Sequence, residues 1–591
     1  MVYNSEREKF MKCNICEIGC MLKDGATGKC GMYRLNEDQV EELYPDLYLT
    51  LFPISIETMP ILHHNPRGKF LQISTVGCNF RCGGCISETL TARMEDISGG
   101  LKKVDAESVV NKAMEENCTG IVFCVNDPVV SLRTFTSVAK KAQARGLLAG
   151  CSTNCYFTEE AIEILAPHLD FINIGFKGFT DDAYKACGAP GINPVLRNLE
   201  ILHKKGVHVE VSVIYSKGRE DEVLGLARHV AALSDKIPFH IMRFFPFGDA
   251  SMEDEPTIYE SELLCDKVRK TLPFTYLFNS PGTDRLDTIC PACGSVIVNR
   301  EFYGPMGARV LHYADRGECR CGNKIPFKGS FHNENFNEPG FFGGYRTTRA
   351  IEIIQSIITS LNPAGKDLVY ATWSEVLKTD FLQKFHKIMQ DPYSYTDLIK
   401  FLSEKTDSLE RGKKLISYIE NILNQFKEAP DNREKPRVYY AMGYPLFALN
   451  AERIETNLVT IAGGYCVNKE IIREGKPGVT ITAEEFNAFN AEYIFISGFI
   501  TCPVSDFYRY CIDNGLKCPA LDNKKVFAVP SLWDFGSLRW VLGLLFIAGV
   551  LHPDRFPEDP TIEAERFYSL FYNIEYSKIR PNRSFYRVNR M

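Results

Sequence analysis

The stretch that decides the fold is Phe70-Leu-Gln-Ile-Ser-Thr-Val-Gly-Cys-Asn-Phe-Arg-Cys-Gly-Gly-Cys85. It begins as an apolar, strand-like run and passes directly into a short loop that holds Cys78, Cys82 and Cys85. Two adjacent glycines before the last cysteine remove side-chain crowding where the backbone must wrap around a bulky group. The stretch therefore predicts a strand that delivers three thiols to one tight loop.

The spacing of these thiols, C-x3-C-x2-C, suits an iron–sulfur cluster. Three thiolates can each bind one iron of a cubane, which leaves the fourth iron without a protein ligand. Because four-cysteine ligation is the usual closed arrangement, a three-cysteine loop implies an open iron at which a small molecule can bind. A chance cysteine loop, or half of a zinc site, is the competing interpretation.

Strand-like and helical patterns alternate after the loop, which predicts a parallel sheet with crossover helices. Counted with 70–76, the strand candidates are 120–125, 147–152, 170–176, 208–215 and 239–245, and the helix candidates are 106–115, 132–144, 159–166, 194–204 and 220–233. Six βα units make an α/β fold with a partial (β/α)6 barrel. Chemistry in such folds lies at the carboxyl ends of the strands, where the cysteine loop falls.

Composition excludes several classes of protein. The 591 residues are 45% hydrophobic and 24% charged, which is ordinary globular usage. A net charge of −6 argues against a nucleic-acid-binding protein. The polar start, residues 1–12, lacks an apolar signal segment, and the longest apolar run, 540–551, is too short to span a membrane. We therefore expect a cytoplasmic chain without membrane insertion, whose 21 cysteines are metal ligands and free thiols.

Two further cysteine groups flank the predicted barrel, and both are expected to be structural. Each cysteine group can hold zinc or an auxiliary iron–sulfur cluster, because the zinc ion and the cluster each take four thiolate ligands. The second group, C-x2-C followed by C-x-C, is similar to a zinc ribbon. The groups are Cys13, Cys16, Cys20 and Cys30, and Cys290, Cys293, Cys319 and Cys321. The ten remaining scattered cysteines are expected to be ordinary buried thiols.

Together these motifs resemble the radical S-adenosylmethionine (radical SAM) superfamily, near the AmmeMemoRadiSam and pyruvate formate-lyase activating enzyme branch. The resemblance covers roughly residues 10–330. Besides the cysteine loop, the matching motifs are Cys13-Asn14-Ile15-Cys16, Gly28-Lys29-Cys30-Gly31, Asn126-Asp127-Pro128, Thr153-Asn154, Phe176-Lys177-Gly178-Phe179 and Cys290-Pro291-Ala292-Cys293-Gly294.

The resemblance implies a specific chemistry. Cys78, Cys82 and Cys85 would hold a [4Fe–4S] cluster whose open iron chelates S-adenosylmethionine. One-electron reduction by a donor such as ferredoxin or flavodoxin would cleave the C5′–S bond, and the resulting 5′-deoxyadenosyl radical would abstract hydrogen from a substrate. The cofactor supplies the difficult chemistry, and the protein positions it. The substrate, a small molecule or a protein, is not identified by the sequence.

Polar residues at strand ends are candidates for binding S-adenosylmethionine. Asn126 and Asp127 could accept from its ammonium, although Asp before Pro is also typical of a turn. Thr153 and Asn154 could face its ribose or methionine part, and a plain polar strand end explains them equally well.

Cationic residues are the candidates for its carboxylate. Lys177 ends the fourth strand, and a solvated lysine is the alternative. Arg243, on the sixth strand, could make a bidentate pair, and an ion pair inside the barrel is the alternative. Two positions depart from the family: Gly84 replaces an aromatic residue that backs the adenine, and Gly175 replaces an acidic residue. The adenine contact is therefore assigned to Phe80.

The C-terminal third predicts a second α/β unit. A long amphipathic helix at 409–426 and a break at 429–432 precede strand candidates 438–441, 493–497 and 526–529, a turn at Gly463-Gly464, and helices near 483–488 and 540–551. This part resembles a lobe of periplasmic siderophore- and cobalamin-binding proteins. Tyr439, Tyr444, Arg453 and Trp533 are candidate cleft residues, with core packing the alternative for each aromatic.

The predicted domains are a cysteine-rich segment (1–65), the radical SAM partial barrel (66–285), a zinc-ribbon-like segment (286–332), a helical linker with a truncated first lobe (333–435) and the binding-protein-like lobe (436–591). The leading functional hypothesis is a radical SAM enzyme acting on a metal complex, tetrapyrrole or cofactor precursor held by that lobe. The alternatives are a glycyl-radical-enzyme activase and a non-catalytic metal-cofactor binding or sensing protein.

Overall fold

The computed structural model describes residues 10–91, 101–247, 250–314, 317–338, 346–363, 385, 387–388, 390–427, 434–473 and 475–578. The predicted break at 429–432 and much of the predicted linker lie outside these residues. Within the described ranges, none of the helices is long and apolar enough to cross a membrane.

Short strands make up several separate sheets. They are β1 (Phe10–Lys12), β2 (Met21–Lys23), β3 (Tyr33–Asn36), β4 (Gln39–Glu42), β5 (Leu47–Tyr48), β6 (Thr50–Ser55), β7 (Lys69–Ser74), β8 (Lys102–Lys103), β9 (Gly120–Phe123), β10 (Leu148–Thr153), β11 (Phe171–Phe176), β12 (His208–Tyr215), β13 (Phe239–Arg243), β14 (Thr275–Phe278), β15 (Thr288–Ile289), β16 (Val296–Phe302), β17 (Ala308–Tyr313), β18 (Arg437–Ala441), β19 (Phe447–Leu449), β20 (Tyr465–Cys466), β21 (Gly478–Thr480), β22 (Tyr493–Ile496) and β23 (Val526–Ala528).

Helices connect the strands and cover the sheets. They are α1 (Glu88–Thr91), α2 (Ala106–Glu115), α3 (Leu132–Ala144), α4 (Glu159–Leu165), α5 (Asp181–Ala186), α6 (Asn193–Lys204), α7 (Glu220–Leu233), α8 (Ile258–Arg269), α9 (Arg346–Leu361), α10 (Tyr395–Lys405), α11 (Leu409–Lys427), α12 (Ile454–Ile461), α13 (Ala483–Ala488), α14 (Val504–Asp513), α15 (Pro519–Asp522), α16 (Trp540–Leu551) and α17 (Pro560–Tyr572).

The large sheet has eight strands in the order β14-β13-β12-β11-β10-β9-β7-β6. Strands β7 and β9 to β14 run parallel, each pairing with the next along the chain. All six predicted strands and their five predicted helices are present, within a few residues of the predicted bounds. The alternation arises because each helix buries one apolar stripe on a strand pair that is itself apolar on both faces.

The strand count differs from the predicted six βα units. Thr275–Phe278 adds a seventh parallel strand, and Thr50–Ser55 adds an antiparallel strand at the sheet edge. The seventh strand is only four residues long, which is too short for a clear periodicity. The edge strand contains Pro53, which argues against a central strand but is tolerated at an edge, where no hydrogen-bond donor is needed on the outer side.

Two small cysteine-bearing units flank the large sheet. The N-terminal unit consists of the hairpins β1–β2 and β3–β4. Its Tyr33 hydroxyl donates to the Val129 carbonyl (2.9 Å) and accepts from the Leu132 amide (3.0 Å), which docks it on the start of α3. The second unit is the antiparallel sheet β15-β16-β17.

The C-terminal sheet has the order β21-β19-β18-β22-β23, with β20 also paired to β18. Its neighbouring strands β18, β22 and β23 are parallel, as the pattern of 438–441, 493–497 and 526–529 predicts. The predicted helices at 409–426, 483–488 and 540–551 are α11, α13 and α16. One contiguous cluster of buried apolar residues extends from the N-terminal unit through the large sheet into this C-terminal part.

Candidate functional site

The three loop cysteines lie on the wall of a cavity of about 410 Å³ at the carboxyl ends of the parallel strands. Cys78, Cys82 and Cys85 follow β7 and are each partly buried. All seven residues predicted to bind the cofactor line the same cavity, namely Phe80, Asn126, Asp127, Thr153, Asn154, Lys177 and Arg243. The structure thus brings together, from five strand ends, the ten residues that the sequence singled out as loop and cofactor contacts.

Backbone amides already point at two of the loop sulfurs. The Phe80 amide lies 3.4 Å from Cys78 Sγ, and the Ser87 amide lies 3.4 Å from Cys85 Sγ. Such donors favour the thiolate form that binds metal. Burial nevertheless raises the pKa of Cys78 well above its usual range and that of Cys85 to about 11. Because burial keeps these thiols protonated, metal binding itself must displace the thiol protons.

Asn126 holds the start of the cysteine loop. Its Oδ1 accepts from the Thr75 amide (3.0 Å), and its Nδ2 donates to Thr75 Oγ1 (3.0 Å) and to the Gly77 carbonyl (3.1 Å). The side chain is buried. These bonds make Asn126 a positioning residue for the loop.

Asp127 ties three strand ends together. One carboxylate oxygen accepts from Thr153 Oγ1 (2.9 Å) and the Val129 amide (3.0 Å), and the other accepts from the Asn154 amide (2.6 Å). Burial raises the pKa of Asp127, while these hydrogen bonds oppose the increase. Asn154 in turn donates to Asn79 Oδ1 (2.7 Å) and lies 3.8 Å from Cys78 Sγ. The network fixes the cavity floor against the loop.

Lys177 brings a positive charge to the thiols. Burial lowers the pKa of its ammonium, but the nearby thiolates of Cys82, Cys85 and others outweigh this and raise the pKa above the usual range. A Cβ added at Gly175 would lie 3.8 Å from Lys177 Nζ. The glycine that replaces the family's acidic residue therefore leaves room for the lysine to lie over the strand end.

Arg243 lines the cavity and forms a buried ion pair. It is fully buried, and its Nη1 pairs with Glu255 Oε1 at 2.7 Å, which is the ion-pair alternative. Its Nε donates to the Asn279 carbonyl at 2.9 Å, while Nη2 has no hydrogen-bond partner among the described residues. A buried donor without a partner is costly, and Arg243 lines the cavity, so its guanidinium is a candidate to bind an anionic ligand group.

Aromatic residues occupy the place of the missing adenine contact. Phe80 is buried against Tyr156 (ring centroids 5.1 Å apart) and Tyr184 (6.0 Å), so most of its ring is committed to packing. A Cβ added at Gly84 would lie 2.9 Å from Phe244 Cζ. Phe244 therefore fills the space beside Gly84, and sequence spacing missed it because it arrives from β13, far along the chain.

Cys187 is a fourth thiol beside the loop that sequence reasoning assigned to ordinary burial. Its thiol is hydrogen-bonded to that of Cys82, which raises the pKa of Cys82 and lowers that of Cys187. Its carbonyl accepts from the Arg81 amide at 2.8 Å. Cys187 ends α5, outside every cysteine motif, so no spacing could have indicated it.

The later cysteine group has the geometry of a single-ion site. Cys290, Cys293, Cys319 and Cys321 bring their four Sγ atoms within 4.8 Å of one another. Cys290 lies 3.6 Å from Cys321, and Cys293 lies 3.4 Å from Cys319. A tetrahedral zinc ion with Zn–S bonds of about 2.3 Å requires thiolates about 3.8 Å apart. The group fits structural zinc, and it is remote from the residues that line the cavity.

The predicted cleft residues of the C-terminal part separate into two groups. Tyr439 and Trp533 are core residues, and the Tyr439 hydroxyl donates to the Pro445 carbonyl at 2.7 Å. Tyr444 reaches the large-sheet unit, where its hydroxyl lies 3.3 Å from Glu262 Oε2. Arg453 lies 4.5 Å from the centre of the Phe535 ring and pairs with Glu455 at 2.6 Å.

The residues that line the cavity can be compared with what an iron–sulfur cluster and S-adenosylmethionine require. The thiols sit on the cavity wall with amides donating to two of them, and nothing lies within 4 Å of a Cβ added at Gly83. The ammonium of Lys177 and the unpaired Nη2 of Arg243 suit a carboxylate. The donor set and the open space therefore fit both groups.

Sequence comparison agrees with this geometry. Residues 73–228 match the family model of the Radical SAM superfamily, so the chain contains a radical SAM domain. An uncharacterized protein of Methanocaldococcus jannaschii is 28% identical over 337 residues, which cover 55% of this chain and 98% of that protein.

Structure comparison gives similarity to solute-binding proteins. A periplasmic solute-binding protein of Veillonella parvula is 20% identical, with a TM-score of 0.28 over 32% of this chain and 58% of its own. An ABC transporter solute-binding protein of Sulfurospirillum deleyianum is 24% identical, with a TM-score of 0.28 over 32% of this chain and 59% of its own. The chain thus spans less than two thirds of the length of either structure.

Proposed function

We propose that this protein is a radical SAM enzyme with its active site in the cavity at the carboxyl ends of the large sheet. The observation that carries the proposal is the placement of Cys78, Cys82 and Cys85 together on that cavity wall, within a radical SAM domain. A (β/α) sheet places its chemistry at this end.

The chain's own residues divide the work. The three cysteines hold the cluster, Asn126 fixes the loop, and Lys177 and Arg243 bind the carboxylate of S-adenosylmethionine. When bound, the cluster and S-adenosylmethionine supply a one-electron C5′–S cleavage that yields a hydrogen-abstracting radical. The buried network around Asp127 keeps the wall rigid, and the aromatic residues of the cavity exclude water from it.

We further propose that the substrate lies between this cavity and the C-terminal part. Phe245 lines the cavity and also packs on Phe499, with ring centroids 5.7 Å apart. Phe499 stacks on Phe535 at 3.8 Å, and the Arg453 guanidinium covers Phe535. Phe499 and Phe535 are buried in this junction, whereas Phe244, Phe245 and Phe247 line the cavity itself. Aromatic cavity walls suit a flat, unsaturated molecule, which supports a tetrapyrrole, metal complex or cofactor precursor as the substrate class.

The remaining proposals follow from the sequence resemblance alone. They are membership of the AmmeMemoRadiSam-like branch, reduction by a ferredoxin or flavodoxin, and a cytoplasmic location.

Anaerobic reconstitution with iron and sulfide, followed by dithionite and S-adenosylmethionine, tests the activity. We expect 5′-deoxyadenosine from the wild type and none from Cys78→Ala. Cys118→Ala is the matched control, because Cys118 is a buried thiol at the end of α2, outside the cavity. Absence of product from a wild type that holds iron, or equal product from Cys78→Ala, would refute the proposal.

A further inference from the structure

The N-terminal thiols form a compact, preorganised group. Cys13, Cys16 and Cys30 are buried, and the Cys13 amide donates to the Cys20 carbonyl at 2.8 Å. The Lys29 amide lies 3.4 Å from Cys20 Sγ. An amide aimed at a cysteine sulfur is a common feature of metal–thiolate sites, where it tunes the bound metal.

Glycines leave space around these thiols. A Cβ added at Gly28 would lie 3.6 Å from Cys20 Sγ, and Gly31 has a positive φ of 69°. The Cβ position of Gly28 therefore lies at an ordinary van der Waals distance from the sulfur, and Gly31 takes a backbone conformation that favours glycine.

The spacing of the N-terminal thiols differs from that of the later group. Cys290, Cys293, Cys319 and Cys321 are the one set of metal-ligating side chains in the described ranges whose donor atoms all lie within 4.8 Å. No three of the N-terminal thiols meet that spacing, although Cys13 and Cys20 pack in one cluster with Leu22 and Leu35. A cubane holds its thiolates farther apart than one tetrahedral ion does, because each thiolate binds a different iron. The wider group fits a four-iron cluster.

An aromatic path connects this group to the cysteine loop. Cys16 pairs with Phe157 in an antiparallel bridge, and the Glu17 amide donates to the Tyr156 carbonyl at 3.1 Å. The Tyr156 ring packs edge-on against Phe80, with centroids 5.1 Å apart. Phe80 lies inside the cysteine loop itself, so Tyr156 and Phe80 connect the segment that holds Cys16 to the cysteine loop.

A second path passes through Lys29 and Arg81. Lys29 lies between the N-terminal thiols in the chain, and its carbonyl lies 3.5 Å from Arg81 Nη2. Arg81 Nη1 donates to the Cys78 carbonyl at 2.7 Å. Lys29 Nζ also donates to the Gly188 carbonyl at 2.7 Å, next to Cys187. The N-terminal unit is therefore held against the cysteine loop by direct hydrogen bonds.

We propose that Cys13, Cys16, Cys20 and Cys30 bind a [4Fe–4S] cluster that passes electrons to the cluster of the cysteine loop. An external one-electron donor of the ferredoxin or flavodoxin class reduces the N-terminal cluster from 2+ to 1+. The same electron then moves to the loop cluster, which returns the N-terminal cluster to 2+, and no bond or proton changes at either. The relay rests on the proposed function, whereas the metal assignment does not.

Metal content of the anaerobically reconstituted full-length protein tests the assignment. We expect about eight iron and about one zinc per chain, since a cubane holds four irons and the later group one zinc. About four iron and about two zinc would overturn the proposal, because zinc would then fill the N-terminal group. Neither result depends on S-adenosylmethionine cleavage.

A loop variant separates the two groups. Cys78→Ala, Cys82→Ala and Cys85→Ala in one chain should leave about four iron per chain and a reduced-cluster EPR signal that S-adenosylmethionine does not change. Adding Cys13→Ala and Cys16→Ala to this chain should remove both the iron and the signal. Iron absent from the loop variant, in a protein whose circular dichroism matches the wild type, would contradict the assignment.

Reduction kinetics test the relay. In Cys13→Ala with Cys16→Ala, reduction of the loop cluster by reduced flavodoxin, followed by freeze-quench EPR, should slow severalfold relative to the wild type. Reduction by dithionite, a small donor that can reach the loop cluster directly, should change much less. Equal rates with flavodoxin in the two proteins would overturn the relay and leave the proposed enzyme activity unaffected.

Discussion

Three cationic residues line the cavity, namely Arg81, Lys177 and Arg243, and Arg243 is the one with an ion-pair partner in the described part of the chain. We predict that Lys177→Met weakens S-adenosylmethionine binding by about tenfold or more, because a hydrogen bond to a charged group contributes about 1.5–3 kcal/mol. Iron content should stay at the wild-type level. Anaerobic equilibrium dialysis measures the affinity.

Lys204→Met is the matched control for that substitution. Lys204 is an exposed lysine on α6, paired with Glu200, and it does not line the cavity. Unchanged affinity in Lys177→Met, with the control also unchanged, would show that this ammonium does not bind the carboxylate.

Two adjacent glycines of the cysteine loop should respond differently to the same change. At Gly84, φ is +71° and an added Cβ would lie 2.9 Å from Phe244. At Gly83, nothing lies within 4 Å of an added Cβ. We predict that Gly84→Ala lowers the iron retained after reconstitution and desalting, whereas Gly83→Ala stays close to the wild type. Similar iron retention in both variants would contradict the packing of Phe244 over the loop.

The sequence could predict the strand-end residues of the site because each follows its strand directly. Asn126, Asp127, Thr153 and Lys177 needed only the strand pattern and the rule that parallel strands end at one edge. Their partners were less accessible to sequence reasoning. Glu255 neutralises Arg243 from a loop twelve residues later, and no periodicity marks such a contact.

At the scale of elements, the docking of β4 on α3 makes folding sensitive to pH. Glu42 Oε2 accepts from the Thr134 amide and hydroxyl, both at 3.1 Å. Burial raises the pKa of Glu42 from 4.5 to about 7. The folded chain thus holds this proton more tightly than the unfolded chain. Protonated Glu42 therefore contributes fully to the free energy of unfolding below pH 4.5, and this contribution is lost as the pH rises through 7.

We predict that Glu42→Gln removes this dependence. Thermal midpoints of the holoprotein, measured from pH 5.5 to 8, should fall with pH in the wild type relative to Glu42→Gln. Glu37→Gln, at an exposed position in the adjoining turn, is the control and should follow the wild type. Parallel curves for the wild type and Glu42→Gln would show that this carboxyl does not titrate in the range.

Elements with a regular pattern were predictable, and those defined by their neighbours were not. The helix Leu132–Ala144 and the strand His208–Tyr215 were predicted with their observed bounds. In contrast, Thr50–Ser55 contains a proline and Thr275–Phe278 is four residues long. Both become strands because the large sheet offers an unpaired edge, and this information is absent from their own sequence.

At the scale of the molecule, the C-terminal part is bonded to the large-sheet unit through a buried charge. Thr501 Oγ1 donates to Glu255 Oε2 at 2.7 Å, and Glu255 Oε1 pairs with Arg243 on the cavity wall. Tyr444 adds hydrogen bonds to Pro281 and Glu262. The two parts should therefore unfold together.

We predict that Glu255→Gln destabilises the protein by about 3–5 kcal/mol, because Arg243 is left buried without a counter-charge. Thr501→Val removes only the hydroxyl hydrogen bond to Glu255 and should cost about 1 kcal/mol. Urea unfolding followed by tryptophan fluorescence reports the C-terminal part, because all three tryptophans follow residue 370. Cluster absorbance reports the large-sheet unit.

Coincident transitions in the wild type, and a larger shift in Glu255→Gln than in Thr501→Val, are the expected outcome. Two separate transitions in the wild type would show that the parts unfold independently despite these contacts.

The edge strand β6 has a consequence for shortened forms of this protein. It covers one side of β7 with six residue pairs, and Pro53 leaves its outer side short of one amide donor. A chain that began after residue 55 would expose the edge of β7 that β6 covers, along a buried and largely apolar strand. Such bare edges recruit strands from other molecules. Shortened chains of this kind should therefore collect as insoluble aggregates during expression, even though every residue of the cysteine loop is still present.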